Sequence, residues 1–143
     1  MPKSNALDTA VLSLIFNATP IANLADDAAS APLINLYLSL HTASPGADGS
    51  QLTNEIGYTS YARVPVSRSG AGWVVTGGSV SPASTITFPT STGGSGTATH
   101  FAIGSASSGA GVVYYFGTIT PNIVVSTIGI TPQLTQASTI TEA

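Results

Sequence analysis

The spacing of apolar side chains changes once along this chain, and the change divides it in two. Before Pro32, Leu7, Val11, Leu14 and Ile15 recur at the spacing of one helix face. Ser4 or Asn5 can cap the first turn, and Asp8 sits where the helix dipole favours an anion. The pattern predicts an amphipathic helix from Asn5 to Phe16. Pro20 ends it, Asn23 to Ser30 has room for one further short turn, and Pro32 closes the segment. From Leu33 the period is two. Ile34, Leu36, Leu38 and Leu40 fall on one side and Asn35, Tyr37, Ser39 and His41 on the other, which predicts a half-buried strand.

Thr42 to Tyr61 reads as a long polar loop, with Asp48-Gly49 as a turn. Ala62–Ser67 alternates again, and Pro65 marks it as an edge or a bulge. Trp73–Thr76, Thr85–Phe88, Thr97–Gly104, Val112–Thr118, Ile123–Ser126 and Ser138–Thr141 are further short strands between Gly, Ser and Pro punctuators. This spacing predicts an all-β fold: a jelly-roll-like antiparallel β-sandwich over residues 33–143 with a short N-terminal helical arm over residues 1–32. The arm either closes one end of the core or packs on a neighbouring subunit. In the second case Leu7, Val11, Leu14 and Ile15 are the partner-binding side chains.

Composition turns this fold towards assembly. From Ser69 to Thr141, 73 consecutive residues include no Asp, Glu, Lys or Arg, and only 6% of the whole chain is charged. An ordinary soluble domain is about a quarter charged. Hydroxyls take over, with 19 Ser and 19 Thr. Such a surface can be covered by a neighbour without the several-kcal/mol cost of burying an ion. Lys3, Arg63 and Arg68 are the only cations, too few for the clustered positive surface that nucleic-acid binding requires. The absence of cysteine excludes disulfides and thiolate metal sites. The N-terminal apolar stretch is short and contains Asp8, unlike a signal peptide, and no run reaches about 18 apolar residues. Synthesis in the cytoplasm, with no membrane partner, is the expectation.

Catalytic chemistry has little to work with. His41 and His100 are the only histidines, each on a predicted strand, and both read as structural. A Ser/His/Asp arrangement lacks a G-x-S-x-G elbow. Paired carboxylates for glycoside cleavage would have to come from Asp26-Asp27 or from Asp48 with Glu55. A hard cation could be held by Asp48, Asn54 and Glu55, although EF-hand spacing is absent. Gly93-Gly94-Ser95-Gly96 has no P-loop lysine and precedes a strand, so it reads as a connection. Trp73, Phe88, Phe101, Tyr114, Tyr115 and Phe116 read as core and interface packing. Tyr37, Tyr114 and Phe116 would make a glycan platform only if they face outward. The expectation is a protein without catalytic residues, cofactor, metal or small-molecule substrate.

One ordered set of segments is more specific. It begins with Leu36-Tyr37-Leu38-Ser39-Leu40-His41-Thr42-Ala43-Ser44-Pro45-Gly46, then Thr53-Asn54-Glu55-Ile56 and Tyr58 through Tyr61-Ala62-Arg63-Val64. It continues through Trp73, Ile86-Thr87-Phe88-Pro89, Thr99-His100-Phe101-Ala102-Ile103-Gly104, Ser108-Gly109-Ala110-Gly111 and Gly129-Ile130-Thr131-Pro132. Over residues 33–142 this set resembles a family of small tailed-phage virion proteins, whose members are described as tail-fibre, minor tail or head decoration proteins. The resemblance implies a structural virion component with no catalytic residues to carry over. The chain is short for a fibre, lacks shaft repeats and has a separable N-terminal segment. These features favour a capsid decoration (cement) protein on the capsid surface, a homotrimer bridging major capsid proteins. The alternative is a tail or baseplate component, structural or glycan-binding.

Overall fold

The computed structural model describes residues 4–21 and 32–141. Its architecture is all-β and antiparallel with one short N-terminal helix, the class that the periodicity predicts. The elements are α1 (Asn5–Asn17), β1 (Asn35–His41), β2 (Val64–Ser67), β3 (Trp73–Thr76), β4 (Ser79–Pro82), β5 (Ile86–Thr87), β6 (Gly96–Gly104), β7 (Val113–Val125), β8 (Gln133–Leu134) and β9 (Ile140–Thr141). They form a four-stranded sheet β2-β1-β6-β7, a three-stranded sheet β3-β4-β9 and the pair β5-β8. Two compact units, each discontinuous in sequence, contain them. The first takes residues 1–35, 66–86 and 134–143, and the second takes 36–65 and 87–133.

In the first unit α1 is capped as its sequence suggests. The Ser4 Oγ accepts the Leu7 amide at 3.2 Å, and Asp8 lies in the first turn. The other end is held by a cation. The Arg68 guanidinium donates to the Leu14, Ile15 and Leu33 carbonyls at 2.8, 2.7 and 2.6 Å. The bonds to Leu14 and Ile15 satisfy carbonyls that the helix end leaves orphaned and oppose the negative end of its dipole, and the bond to Leu33 ties in the start of the strand region. The buried face consists of Asp8, Leu12 and Phe16, spaced i, i+4. The Phe16 ring meets Trp73 edge-on at 4.7 Å. Leu7, Val11, Leu14 and Ile15 are only half-buried, so the inward face lies about a third of a turn from the stripe they form. Phe16 decides this, because one aromatic ring buries more area than any of those aliphatics. The Thr9 hydroxyl also donates to the Gly77 carbonyl at 2.6 Å in the β3–β4 turn. Strand β4 was not predicted. Gly77-Gly78 is the two-residue loop of a hairpin that pairs Trp73 with Pro82 and Thr76 with Ser79. The predicted turn at 23–30 lies outside the described residues.

In the second unit β1 pairs with β6 from Tyr37↔Gly104 to His41↔His100, and β6 pairs with β7 from Gly104↔Val113 to Gly96↔Val125. The sequence suggested two strands where β7 runs through as one. Pro121 is tolerated inside it because residues 119–122 lie at the register shift between Ala98↔Ile123 and His100↔Thr118, where the β6–β7 ladder is already interrupted. Leu36, Leu38, Leu40, Ile56, Tyr58, Phe88, Ala98, Ile103 and Val125 form the apolar core of this unit.

Truncating Phe16 to Ala removes the ring that seats α1, and a cost of about 3–5 kcal/mol is expected. Trp73 is the only tryptophan, so its emission in a denaturant titration reports the loss directly. The variant should show a lower midpoint and red-shifted native emission.

Candidate functional site

The polar side of β1 does not face water. Ser39 and His41 are both fully buried, as is Gln51 from the segment between β1 and β2. That segment, expected as a solvated loop, folds back over the strand. Thr42 N–H donates to the Asn54 carbonyl at 2.8 Å and Ile56 N–H to the Leu40 carbonyl at 2.9 Å, which places Glu55 opposite His41.

A charged pair holds the fold-back in place. Arg63 Nε and Nη2 each donate at 2.7 Å to the two oxygens of Glu55, a planar fork that matches the carboxylate. Its remaining donors reach the Ala106 carbonyl at 3.0 Å and the Gly109 carbonyl at 2.7 Å in the β6–β7 connection. The Tyr61 hydroxyl donates to Glu55 Oε1 at 2.9 Å and accepts the Leu40 amide at 3.0 Å. The carboxylate raises the Arg63 pKa, and burial raises that of Tyr61 further than the nearby charges do. Both groups therefore keep their protons, and the Tyr61 hydroxyl remains a donor.

Gln51 closes the opposite side. Its amide nitrogen donates to the Tyr37 carbonyl at 3.0 Å, and its oxygen accepts the Ala106 amide at 3.1 Å. Gly104 and Gly111 make room for it, since a Cβ at either position would collide with the Gln51 side chain.

His41 lies between these groups. Its Nδ1 is 2.8 Å from the Thr53 carbonyl, which can only accept, so Nδ1 carries the proton. Nε2 then accepts from the Ser39 hydroxyl at 2.8 Å. A serine–histidine pair is thus assembled two residues apart on one strand face, a contact that i, i+2 spacing signals and that the search for triads missed. Both side chains have 0% exposure, so an acyl substrate cannot reach the hydroxyl. The arrangement is a satisfied neutral network. Burial is the main reason that His41 has a lowered pKa, against smaller upward contributions from Thr53 and Glu55.

The other sequence candidates are scattered. His100 pairs in register with His41 across β1 and β6, yet both ring nitrogens of His41 are already engaged. Asp48 is exposed in its turn, and the Asn54 amide donates to the Ser44 carbonyl instead of facing a cation. Among the described residues no group of three His, Cys, Asp or Glu side chains is placed to hold a metal. Asp26 and Asp27 lie outside the described residues. Gly93 and Gly94 pass beside Thr59 in an isolated bridge, a strand connection as expected. Trp73 and Phe88 are core residues, whereas Tyr114 and Phe116 project outward at 43% and 42% exposure. The side chains expected to bind a partner, Leu7, Val11, Leu14 and Ile15, are half-buried along α1.

A family model described as podophage GP4 fiber I protein gp80 matches residues 2–131. The chain belongs to that family. It is a structural protein of the phage virion, as the resemblance implied, and the family match begins at residue 2, so it takes in the N-terminal segment as well as the strands. A comparison with curated proteins returns no match. Arg63, Tyr61 and Gln51 are site residues that sequence reasoning did not assign, and Glu55, considered there for a carboxylate pair or a cation, holds Arg63 instead.

Replacing Glu55 with Gln strands the buried guanidinium without a counter-charge, and a loss of about 3–5 kcal/mol is expected in equilibrium urea unfolding. A second measurement concerns pH. The folded-state pKa of His41 lies below its ordinary value of 6.5, so the unfolded chain binds its proton more readily. Stability should be fully present above that value and fall as the pH drops through it. The thermal midpoint between pH 7.5 and pH 5 should decline in the native chain and decline less in His41→Asn.

Proposed function

We propose that this chain is a structural component of the phage tail fibre, a homo-oligomeric part that works by mechanical contact and carries out no catalysis. The observation that carries this reading is the family match, whose description is that of a fibre protein. It shifts the weight from head decoration, expected from the short length and the separable arm, to the tail-associated alternative. The physical character of the chain agrees. An uncharged hydroxyl surface over residues 69–141 can be buried against neighbouring subunits at little electrostatic cost. Internally satisfied polar groups leave the second unit rigid, which suits a part that must transmit load. The site argues for stability over turnover, because its one potential nucleophile, Ser39, is sealed from solvent.

Quantitative mass spectrometry of purified particles, with gold-labelled antibody in electron micrographs, tests the assignment. A fibre component should be present in about three to a dozen copies and be labelled at the tail. Hundreds of copies, with label over the head, would restore the capsid-decoration reading with the major capsid protein as partner.

A further inference from the structure

We propose that residues 43–54 form an acid-operated flap: protonation of His41 lifts them from the polar face of β1 while the rest of the second unit stays folded. The inference concerns conformation and goes beyond the structural role proposed above. The way the segment is held makes local opening feasible. Between Thr42 and Glu55 only Pro45 and Gln51 are buried, and Leu52, the one large aliphatic side chain there, is 55% exposed. Hydrogen bonds do most of the holding. The Gln51 main chain donates to the Gly111 carbonyl at 2.9 Å, its side chain bridges the Tyr37 carbonyl and the Ala106 amide, and His41 Nδ1–H reaches the Thr53 carbonyl at 2.8 Å. The apolar anchor begins just beyond, with Ile56 and Tyr58 each 2% exposed, and the Glu55–Arg63 fork stands at the boundary. A segment that buries little apolar surface opens at lower free energy than the core it covers.

Acid acts on the pairing inside this cover. In the neutral network Ser39 donates to His41 Nε2 at 2.8 Å. A second ring proton makes Nε2 a donor as well, aimed at the Ser39 oxygen. The Gln51 amide nitrogen already points at that oxygen from 3.5 Å. The Ser39 proton must then turn away, and the acceptor before it is the Ala102 carbonyl at 3.4 Å, beyond the usual length of such a bond. One buried donor is left poorly matched.

The new charge fares no better. The ionisable groups around the ring are Glu55 at the end of the flap, Tyr61 and Arg63 from the stretch leading into β2, and His100 across the ladder on β6. Glu55 is the one anion among them. Both of its oxygens already accept from Arg63, and one also accepts from Tyr61. A cationic His41 therefore lacks a free counter-charge at 0% exposure, a costly state that solvent relieves once residues 43–54 lift. The closed form holds the proton less readily than a solvated ring does, so a falling pH shifts the balance towards the open form. With an ordinary pKa of 6.5 in the open form, the shift between pH 7.5 and pH 5 reaches about 30-fold at most.

Hydrogen–deuterium exchange of the full chain at pH 7.5 and pH 5, read by mass spectrometry and corrected for the intrinsic rate, tests this. Exchange in peptides covering residues 43–54 should rise about tenfold at pH 5, while peptides from β6 keep their protection. His41→Asn should abolish the rise. A second arm does not depend on that variant folding: His100→Gln should retain the rise, and in the native chain its midpoint should coincide with the titration of the His41 ring followed by NMR. Protection of residues 43–54 that stays unchanged down to pH 5 would overturn the proposal. Equal loss of protection in β6 would overturn it too, since the chain would then unfold as a whole. So would a rise that disappears in His100→Gln. Each of these results leaves the virion reading standing, because copy number and labelling on particles decide that separately.

Discussion

Taking the Arg63 guanidinium out of water costs several kcal/mol, and the geometry of the second unit follows from how that cost is offset. A single carboxylate would not suffice, because five N–H donors need acceptors. Glu55 supplies two oxygens, and the Ala106 and Gly109 carbonyls supply two more. The stretch from Glu55 to Arg63 and the β6–β7 connection, separated by more than forty residues, are thereby brought to one point. The fold-back over β1, the path of the β6–β7 connection and the position of Tyr61 are all set relative to this group.

Once the segment is folded back, the polar face of β1 must be satisfied from inside. Ser39, His41 and Gln51 do this for one another and for the nearby main chain, with no ionic charge among them in the neutral state. Low dielectric strengthens such a network when every member is paired and penalises it when one is not. A neutral His41 belongs to that arrangement, and protonation disturbs it. The result is a polar interior whose groups are paired with one another and with main chain, and sealed from solvent. This suits a virion component built to persist outside the cell.

Charge distribution links interior and surface. Two of the three cations, Arg63 and Arg68, are spent on internal acceptors: one on Glu55 and a loop, the other on the end of α1. The long stretch that follows presents hydroxyls, aromatics and aliphatics to its surroundings. A surface of that kind is poorly defended as a lone monomer and well suited to being covered by a copy of itself.

The class of the fold was legible in the sequence, because a period of 3.6 or 2 depends only on local geometry. Helix α1, β1, β3 and β6 appear within a few residues of where alternation puts them. Neutrality over residues 69–141 is likewise a property of the sequence alone. Contacts between distant segments were beyond its reach. The helix faces inward through Leu12 and Phe16 because Trp73 waits 57 residues further along the chain from Phe16. The 42–61 segment is packed because Arg63 finds Glu55 and two carbonyls beyond residue 105. No local pattern distinguishes a carboxylate in water from one that holds a buried cation. That difference exists only after the chain has closed around both.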